Sequence, residues 1–492
     1  MAVLPSPFSL LEDLLAAHAA SRPDALALHF EGWQLRYGEL AVRSERVAAH
    51  LQRGWGVAPG DRVAWLGANH PGQLVLLFAL ARIGAILLPL NFRLSPGEWD
   101  ALFADCTPKH LVHDAAWAGA AAPLGARNRV AVHAVEALGE EGDRAHAAAS
   151  GHPSSPVLLV YTSGTTSRPK AAVHTQANLL ANMRIASGVQ RMTPGDVVAT
   201  MLPLFHVGGL CIQTLPALHA GAQVILQPRF APDAAFDCFE RQRPTLTLQV
   251  PATMKALLEH PRWTHADLSS LRAVWAGSSL LPRPLVDAFH ARGLPVCNVY
   301  GATETGPLSI ALPPEHAITH VGSCGWPAPG VEVRLDHVQD GVGELLVRAP
   351  NVVARYWPDQ AACDPAGWFH TGDLASCAAD GSYTVAGRAR DLIISGGENI
   401  HPAEIENLLA EHPSIAECAA FGVPDGEWGE VVAAAIVLEP GRSVSEQELV
   451  AHLAGRLARF KLPRRWLWLD ALPKTALGKV QRQTLAEWAR NL

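Results

Sequence analysis

Asp61-Arg-Val-Ala-Trp-Leu-Gly-Ala-Asn-His-Pro-Gly-Gln-Leu-Val-Leu-Leu-Phe-Ala-Leu-Ala-Arg-Ile-Gly-Ala-Ile-Leu-Leu-Pro-Leu90 is the stretch that sets the architecture. Asp61 to Leu66 reads as an apolar strand, Pro71 to Gly84 as a helix, and Ala85 to Leu90 as a second strand. The helix opens on proline and closes at glycine, the residues favoured at those two ends. A strand, a crossover helix and another apolar strand make a parallel pair. The same rhythm returns further on, with strand candidates Val197-Met201, Gln223-Leu226, Thr245-Gln249, Arg272-Ala276 and Pro295-Val299. Helical stretches Pro232-Arg241, Ala252-His260 and Pro282-Ala291 lie between them. Short apolar strands alternating with helices predict an α/β fold with mostly parallel, helix-flanked sheets.

Two stretches break the rhythm. Ala115 to Pro156 is rich in alanine, glycine and histidine and reads as a peripheral excursion. Val331 to Tyr383 carries shorter strands with Gly/Asp turns, which predicts a small β-rich subdomain. Past Gly387 a new α+β unit begins: helix Pro402-Ala410, strands Ile415-Phe421 and Val431-Leu438, helix Ser445-Ala458 and strand Arg465-Leu469. The expected division is a large N-terminal domain, 1–387, and a small C-terminal domain, 388–492, with the boundary near Gly387 to Asp391.

The 492 residues are 49% hydrophobic and 17% charged, enough apolar material for several cores. A net charge of -7 argues against a general polyanion or nucleic-acid binder. Eight scattered cysteines with no Cys-x-x-Cys read as reduced thiols, and the acidic Glu12-Asp13 pair speaks against a signal peptide. The apolar run Leu74 to Leu90 is interrupted by Arg82 and Gly84, so no membrane span is expected. The expected location is the cytoplasm. No residue pattern decides whether the chain is a homodimer.

Chemistry first surfaces in Tyr161-Thr-Ser-Gly-Thr-Thr-Ser-Arg-Pro-Lys170, which follows the apolar strand Val157-Val160. Gly164 permits a tight turn; Thr162, Ser163, Thr165 and Thr166 offer hydroxyls, and Lys170 a positive charge. Such a loop can wrap phosphate oxygens, although its spacing is not that of a Walker A loop. Further motifs follow in order: Leu202-Pro-Leu-Phe-His-Val-Gly-Gly209, Val299-Tyr-Gly-Ala-Thr-Glu-Thr-Gly306 and Gly367-Trp-Phe-His-Thr-Gly-Asp373. Then come Gly387-Arg-Ala-Arg-Asp-Leu-Ile-Ile-Ser-Gly-Gly-Glu-Asn399 and Pro473-Lys-Thr-Ala-Leu-Gly-Lys479. With these motifs in this order, nearly the whole chain resembles the adenylate-forming (AMP-binding) superfamily. The resemblance is to its acyl- and aryl-CoA synthetase branch, typified by 4-chlorobenzoate:CoA and 4-coumarate:CoA ligases.

The resemblance implies an ATP- and Mg²⁺-dependent ligase. It would turn a small carboxylic acid into an acyl-adenylate and then pass the acyl group to coenzyme A. On that basis Tyr300 stacks on adenine beside Gly277 and Gly301, Thr303 contacts the α-phosphate, and Glu304 binds the metal. Asp373 and Arg388 hold the ribose. Lys479 binds the acyl carboxylate and α-phosphate, offsetting the repulsion when one anion attacks another. Gly396 and Gly397 line the pantetheine tunnel, where side chains would obstruct a thin ligand. Asp391 is the implied hinge about which a mobile C-terminal domain presents first Lys479 and then the glycine pair. Arg93, Phe460 and Arg464 fall at coenzyme A contact positions, and Trp428 lies close to one.

His206 stands where amino-acid-activating relatives carry an aspartate, so no counter-ion for a substrate amine is evident. The implied acyl pocket, Val207, Gly208, Gly209, Cys211, Trp275, Ala276, Pro307 and Leu308, is apolar or small. That favours an aryl, cinnamic or medium-chain acid. The chain departs from the family pattern at Ser167 and Ala171, which replace glycines, and at Gln176, where histidine is frequent. Two other readings stay open: loading of a carrier-protein phosphopantetheine, and non-catalytic binding of an adenylate or acyl-CoA.

Overall fold

The computed structural model describes residues 8–139, 147–162, 169–277, 281–395, 398–426, 428–454, 456–475 and 478–490. Strand Arg62–Leu66 runs parallel to Ile86–Pro89, with Trp65 opposite Pro89. The helix between them, Pro71–Ile83, is buried along almost its whole length and ends at Gly84, whose φ is 71°. A helix apolar all round belongs in the middle of a large core, and this one lies there.

That βαβ unit sits in an eight-stranded sheet. A nine-stranded sheet holds the second run of strands. Its centre is parallel: Leu26–Phe30, Gln223–Leu226, Val197–Thr200, Leu246–Gln249, Ala273–Gly277 and Val296–Tyr300 pair in that order. A four-stranded antiparallel sheet of Glu332–Gln339, Val342–Arg348, Phe369–Cys377 and Tyr383–Arg388 forms the expected β-rich unit. After the short turn Ala389–Asp391, the chain builds a five-stranded sheet from Ile393–Ser395, Glu398–Ile400, Ile415–Asp425, Gly429–Leu438 and Arg465–Trp468. Its cores are its own: Ile400, Ile405, Leu409 and Ile436 on one face, Phe421, Val431 and Leu467 on the other.

Several sequence expectations need correction. The Ala115 to Pro156 excursion carries regular structure of its own. Helix Ala118–Asn128 buries Ala121 and Leu124, and Ala131–Ala134 adds a parallel edge strand beside His110–His113. Alanine and glycine left too few large side chains for a visible period there. Arg355–Tyr356 leaves the β-rich unit and pairs with the eight-stranded sheet at Ala172. The helix expected over Ser445-Ala458 stops at Leu453, where Ala454 turns extended just before Gly455. A short strand, Glu398–Ile400, which the sequence reading did not name, precedes helix Pro402–Leu409.

The parallel strands aim their carboxyl ends the same way, which is where α/β sheets bind ligands. Val197–Thr200 leads to His206, and Val296–Tyr300 to Glu304. The hairpin of Pro156–Thr162 and Lys170–Thr175 brackets the Ser/Thr loop, with Thr162 opposite Lys170. Two glycines at these ends are required by the chain's own packing. A Cβ on Gly301 would lie 1.7 Å from the Pro307 carbonyl oxygen, and one on Gly209 would lie 2.3 Å from that of Pro203.

Candidate active site

Register brings Asp373 opposite Arg388 on neighbouring antiparallel strands. The Arg388 Nε lies 2.6 Å from Asp373 Oδ1, and the guanidinium also donates to the Thr371 carbonyl at 3.2 Å. Tyr300 donates its hydroxyl to Asp373 Oδ2 at 2.6 Å, so the residue expected to stack on adenine also braces the carboxylate expected at the ribose. Burial pushes the Asp373 carboxyl above its ordinary range, although Arg388 pulls the other way. Each carboxylate oxygen accepts one bond from protein and keeps a lone pair for a further donor. That is the arrangement two ribose hydroxyls require.

Thr303 and Glu304 occupy a single 3₁₀ turn, Thr303–Thr305, just past the strand. Thr305 Oγ1 accepts from the Ala302 N–H at 2.8 Å, and Asn351 Nδ2 donates to the Thr305 carbonyl at 2.8 Å. The Glu304 carbonyl accepts from the Val353 N–H at 2.8 Å. Its carboxylate accepts from the Tyr356 hydroxyl at 2.9 Å. Lys170 Nζ stands 5.4 Å from the centre of the same tyrosine ring. Among the described residues no three His, Cys, Asp or Glu gather into a self-contained metal site. A single anchored carboxylate beside a phosphate-side lysine fits Mg²⁺, which prefers one or two carboxylates with phosphate and water completing its shell. Ser163, Gly164, Thr165 and Thr166 of the phosphate loop lie outside the described residues, as do Gly396 and Gly397.

His206 caps a short helical turn, accepting the Gly208 N–H on Nδ1 at 3.0 Å. An accepting Nδ1 leaves the proton on Nε2. Burial, helped by the positive charge of Lys479, lowers the imidazole pKa to about 4, so it is neutral near pH 7. Lys479 is anchored by its backbone: its N–H donates to Thr475 Oγ1 at 3.2 Å, and its carbonyl accepts from the Thr475 N–H at 2.8 Å. Lys479 is exposed as a residue, yet its ammonium is partly desolvated and close enough to Arg388, Asp373, Glu304 and Arg390 to feel their charges. One C-terminal lysine thus lies within electrostatic reach of Asp373 and Arg388, Glu304 and His206.

Desolvation, with Arg388 adding to it, lowers the Lys479 pKa below that of a free lysine, against the opposing pull of Asp373 and Glu304. A lowered pKa means the proton leaves earlier as pH rises. Acid-dependent ATP–pyrophosphate exchange is therefore expected to fall along an alkaline limb that begins below the ordinary lysine range. Lys479→Arg should remove the limb, since a guanidinium does not titrate there. Thioester formation from supplied acyl-adenylate should show no such limb. Exchange profiles from pH 6 to 10.5 check this.

Val207, Cys211, Trp275, Ala276 and Leu308 are all buried, and Pro307 with them. Strand alternation separates two of these candidates: Trp275 packs with Leu248 and Cys297, Ala276 with Val274 and Val296 on the opposite face. Their side chains therefore do not share one wall. Gly277 ends the same strand. Arg464 stacks its guanidinium 4.9 Å from the Trp428 ring centre, and Phe460 packs partly buried against the C-terminal core. Arg93 follows strand Ile86–Pro89, its N–H bonded to Asn91 Oδ1 at 2.9 Å. Asp391 ends the turn at the start of the C-terminal unit, and Arg482 Nη1 approaches its Oδ2 at 3.4 Å.

The departures from the family pattern have local explanations. Ala171 is fully buried among large apolar side chains, where its methyl fills space. Gln176 accepts the Leu11 N–H at 3.0 Å and donates to the Ala81 carbonyl at 2.9 Å, tying helix Leu11–Ser21 to the core. Ser167 lies outside the described residues. Sequence reasoning missed Tyr356, Asn351 and Arg390. The Arg355-Tyr-Trp357 run, two aromatics in a polar stretch, was the available signal for Tyr356.

Residues 15–357 match the AMP-binding enzyme family model, and residues 404–479 the model of the AMP-binding enzyme C-terminal domain. An indoleacetate–CoA ligase of Aromatoleum aromaticum is 42% identical, over 97% of this chain and 98% of its own. A feruloyl-CoA synthase of an Amycolatopsis species is 40% identical, over 94% and 95%. The structure of o-succinylbenzoate coenzyme A synthetase from Bacillus subtilis, in complex with ATP and magnesium ion, superposes with a TM-score of 0.88. It shares 30% identity and covers 96% of this chain and 98% of that one. No helix among the described residues is long and apolar enough to cross a membrane. With Lys479 close enough to Asp373, Arg388 and Glu304 to feel their charges and these likenesses along its length, the chain belongs to the AMP-binding enzyme family, in the branch of ATP-dependent acyl- and aryl-CoA ligases.

Proposed function

We propose that the acid is an aryl carboxylic acid with an uncharged tail, carried as acyl-AMP to coenzyme A. The observation that carries this reading is the meeting of Lys479 with Asp373, Glu304 and a neutral His206. Each pocket candidate is apolar or small, and the relatives named for indoleacetate and feruloyl-CoA lend the aryl assignment weight.

In the first half-reaction a carboxylate oxygen of the acid attacks the α-phosphorus of ATP. The bond to the bridging oxygen breaks and pyrophosphate leaves. Lys479 lies between the two negative partners, Thr303 faces the α-phosphate, and Asp373 with Arg388 fixes the ribose. Lys170 and the Ser/Thr loop hold the departing phosphates. Glu304 would hold Mg²⁺, which when bound neutralises phosphate charge. The His206 Nε2–H is a donor for the carboxylate, orienting it without adding charge. In the second half-reaction the coenzyme A sulfur attacks the acyl carbon, the carbon–oxygen bond to phosphate breaks, AMP leaves, and the thiol proton passes to solvent. Between the two, the unit after Gly387 turns about Asp391, withdrawing Lys479 and bringing up Gly396 and Gly397. Domains 1–387 and 388–492 are the moving parts, and Trp428, Phe460, Arg464 and Arg93 meet the nucleotide end of coenzyme A.

The test is AMP release from a panel of indole-, phenyl- and cinnamic-type acids beside fatty acids. Each is offered either coenzyme A or a phosphopantetheine-bearing carrier protein. Aryl acids with coenzyme A should give the highest kcat/KM; fatty acids leading would overturn the aryl assignment, and carrier-only turnover the coenzyme A assignment. The cysteines are free thiols, which supports a cytoplasmic location. A homodimer is the assembly proposed, to be checked by light scattering.

A further inference from the structure

Tyr356 sits between two opposite charges that do not pair with each other. Its hydroxyl donates to Glu304 Oε1 at 2.9 Å, and Lys170 Nζ stands 5.4 Å from its ring centre. The backbone around it is fixed from two sides. Tyr356 pairs with Ala172 on the strand that carries Lys170, and the Trp357 N–H donates to the Ala171 carbonyl at 2.8 Å. Three residues earlier, the Val353 N–H bonds the Glu304 carbonyl at 2.8 Å. The segment therefore straps the hairpin of the phosphate loop to the turn of the metal carboxylate. A carboxylate only accepts, so the hydroxyl is the donor in this bond.

A lysine and a glutamate that flank one tyrosine would gain by forming an ion pair, and paired they would serve neither phosphate nor metal. A phenol between them changes the outcome. The ring face attracts the ammonium and the hydroxyl holds one carboxylate oxygen without engaging the other.

We infer that Tyr356 is a positioning residue which keeps Lys170 and Glu304 apart and aimed, the lysine at the outer phosphates and the carboxylate at the magnesium they carry. The inference rests on the role given to Glu304 above.

Two substitutions separate its two duties. Tyr356→Phe keeps the ring and loses the hydroxyl, so Glu304 swings while Lys170 stays. The Mg²⁺ concentration for half-maximal ATP–pyrophosphate exchange is expected to rise about tenfold, the effect of losing one hydrogen bond to a charged group. ATP binding without metal, read by calorimetry, should stay unchanged. Tyr356→Leu removes the ring as well; Lys170 then falls onto Glu304, and metal-free ATP binding should also weaken by about tenfold, one lost charge-assisted contact. Neither change should alter thioester formation from supplied acyl-adenylate, where no pyrophosphate is handled. Thermal melts confirm that each variant is folded. An unmoved Mg²⁺ titration in Tyr356→Phe, or equal loss in both half-reactions, overturns the inference. Glu304→Gln keeps the two failures distinct: if it too leaves the Mg²⁺ titration unmoved, the metal role of Glu304 is wrong. If it shifts the titration while Tyr356→Phe does not, only the inference about Tyr356 falls.

Discussion

Lys479→Ala is expected to reduce acid-dependent ATP–pyrophosphate exchange by about a hundredfold or more while sparing thioester formation from supplied acyl-adenylate. Adenylation brings a carboxylate against an α-phosphate, and negative charge grows on the phosphoryl oxygens as the bond forms. Losing one well-placed stabiliser of such charge costs on the order of 10²–10³ in rate. Lys479 is placed for that work, since its ammonium senses both Asp373 and Glu304 from a turn braced by Thr475. The second half-reaction expels AMP and joins no two anions, so the lysine has nothing to offset there. Its backbone anchors do not involve the side chain, and alanine should leave the turn intact. Separate assays of the two half-reactions check the split. Equal loss in both would contradict the division of labour between the two poses.

Much of this was legible in the sequence because the strands are short, apolar and regularly spaced by helices. Charged residues inside ordered motifs, such as Glu304, Asp373 and Lys479, could be singled out from that order, and the structure brings these three near one another. What stayed hidden depends on contacts between distant segments. Tyr356 meets Glu304 across 52 residues, from a strand of two residues that has no period to detect. Tyr300 was read as a stacking face, yet its hydroxyl is committed to Asp373 across 73 residues. Trp275 and Ala276 were both named for the acyl pocket, and the alternation of the strand sends their side chains into different cores. The neutrality of His206 follows from burial, which one chain of letters does not display. The reason for glycine at 209 and 301 was hidden too, since carbonyl oxygens of the chain itself exclude a side chain at both positions.

Asp373→Ala is expected to give the opposite signature to Lys479→Ala, a loss in both half-reactions. The ribose is present in ATP and in the acyl-adenylate alike, so a group that grips it works twice. Asp373 accepts from Arg388 and from Tyr300, both at 2.6 Å, and these two bonds fix the carboxylate in one orientation. Hydrogen bonds to a charged group contribute about 1.5–3 kcal/mol each, so losing both ribose contacts removes about 3 kcal/mol or more. That corresponds to about a hundredfold or more in kcat/KM for either nucleotide. Stability should suffer less than activity: the Arg388 side chain is 37% exposed, so water can take the place of its partner. Asp373→Asn keeps one acceptor oxygen and should retain more activity than alanine. Tyr300→Phe frees the carboxylate to turn without removing it, and a milder rise in KM should follow. A loss confined to adenylation in Asp373→Ala would mean that the carboxylate serves the pyrophosphate end of ATP instead, and the ribose assignment would be withdrawn.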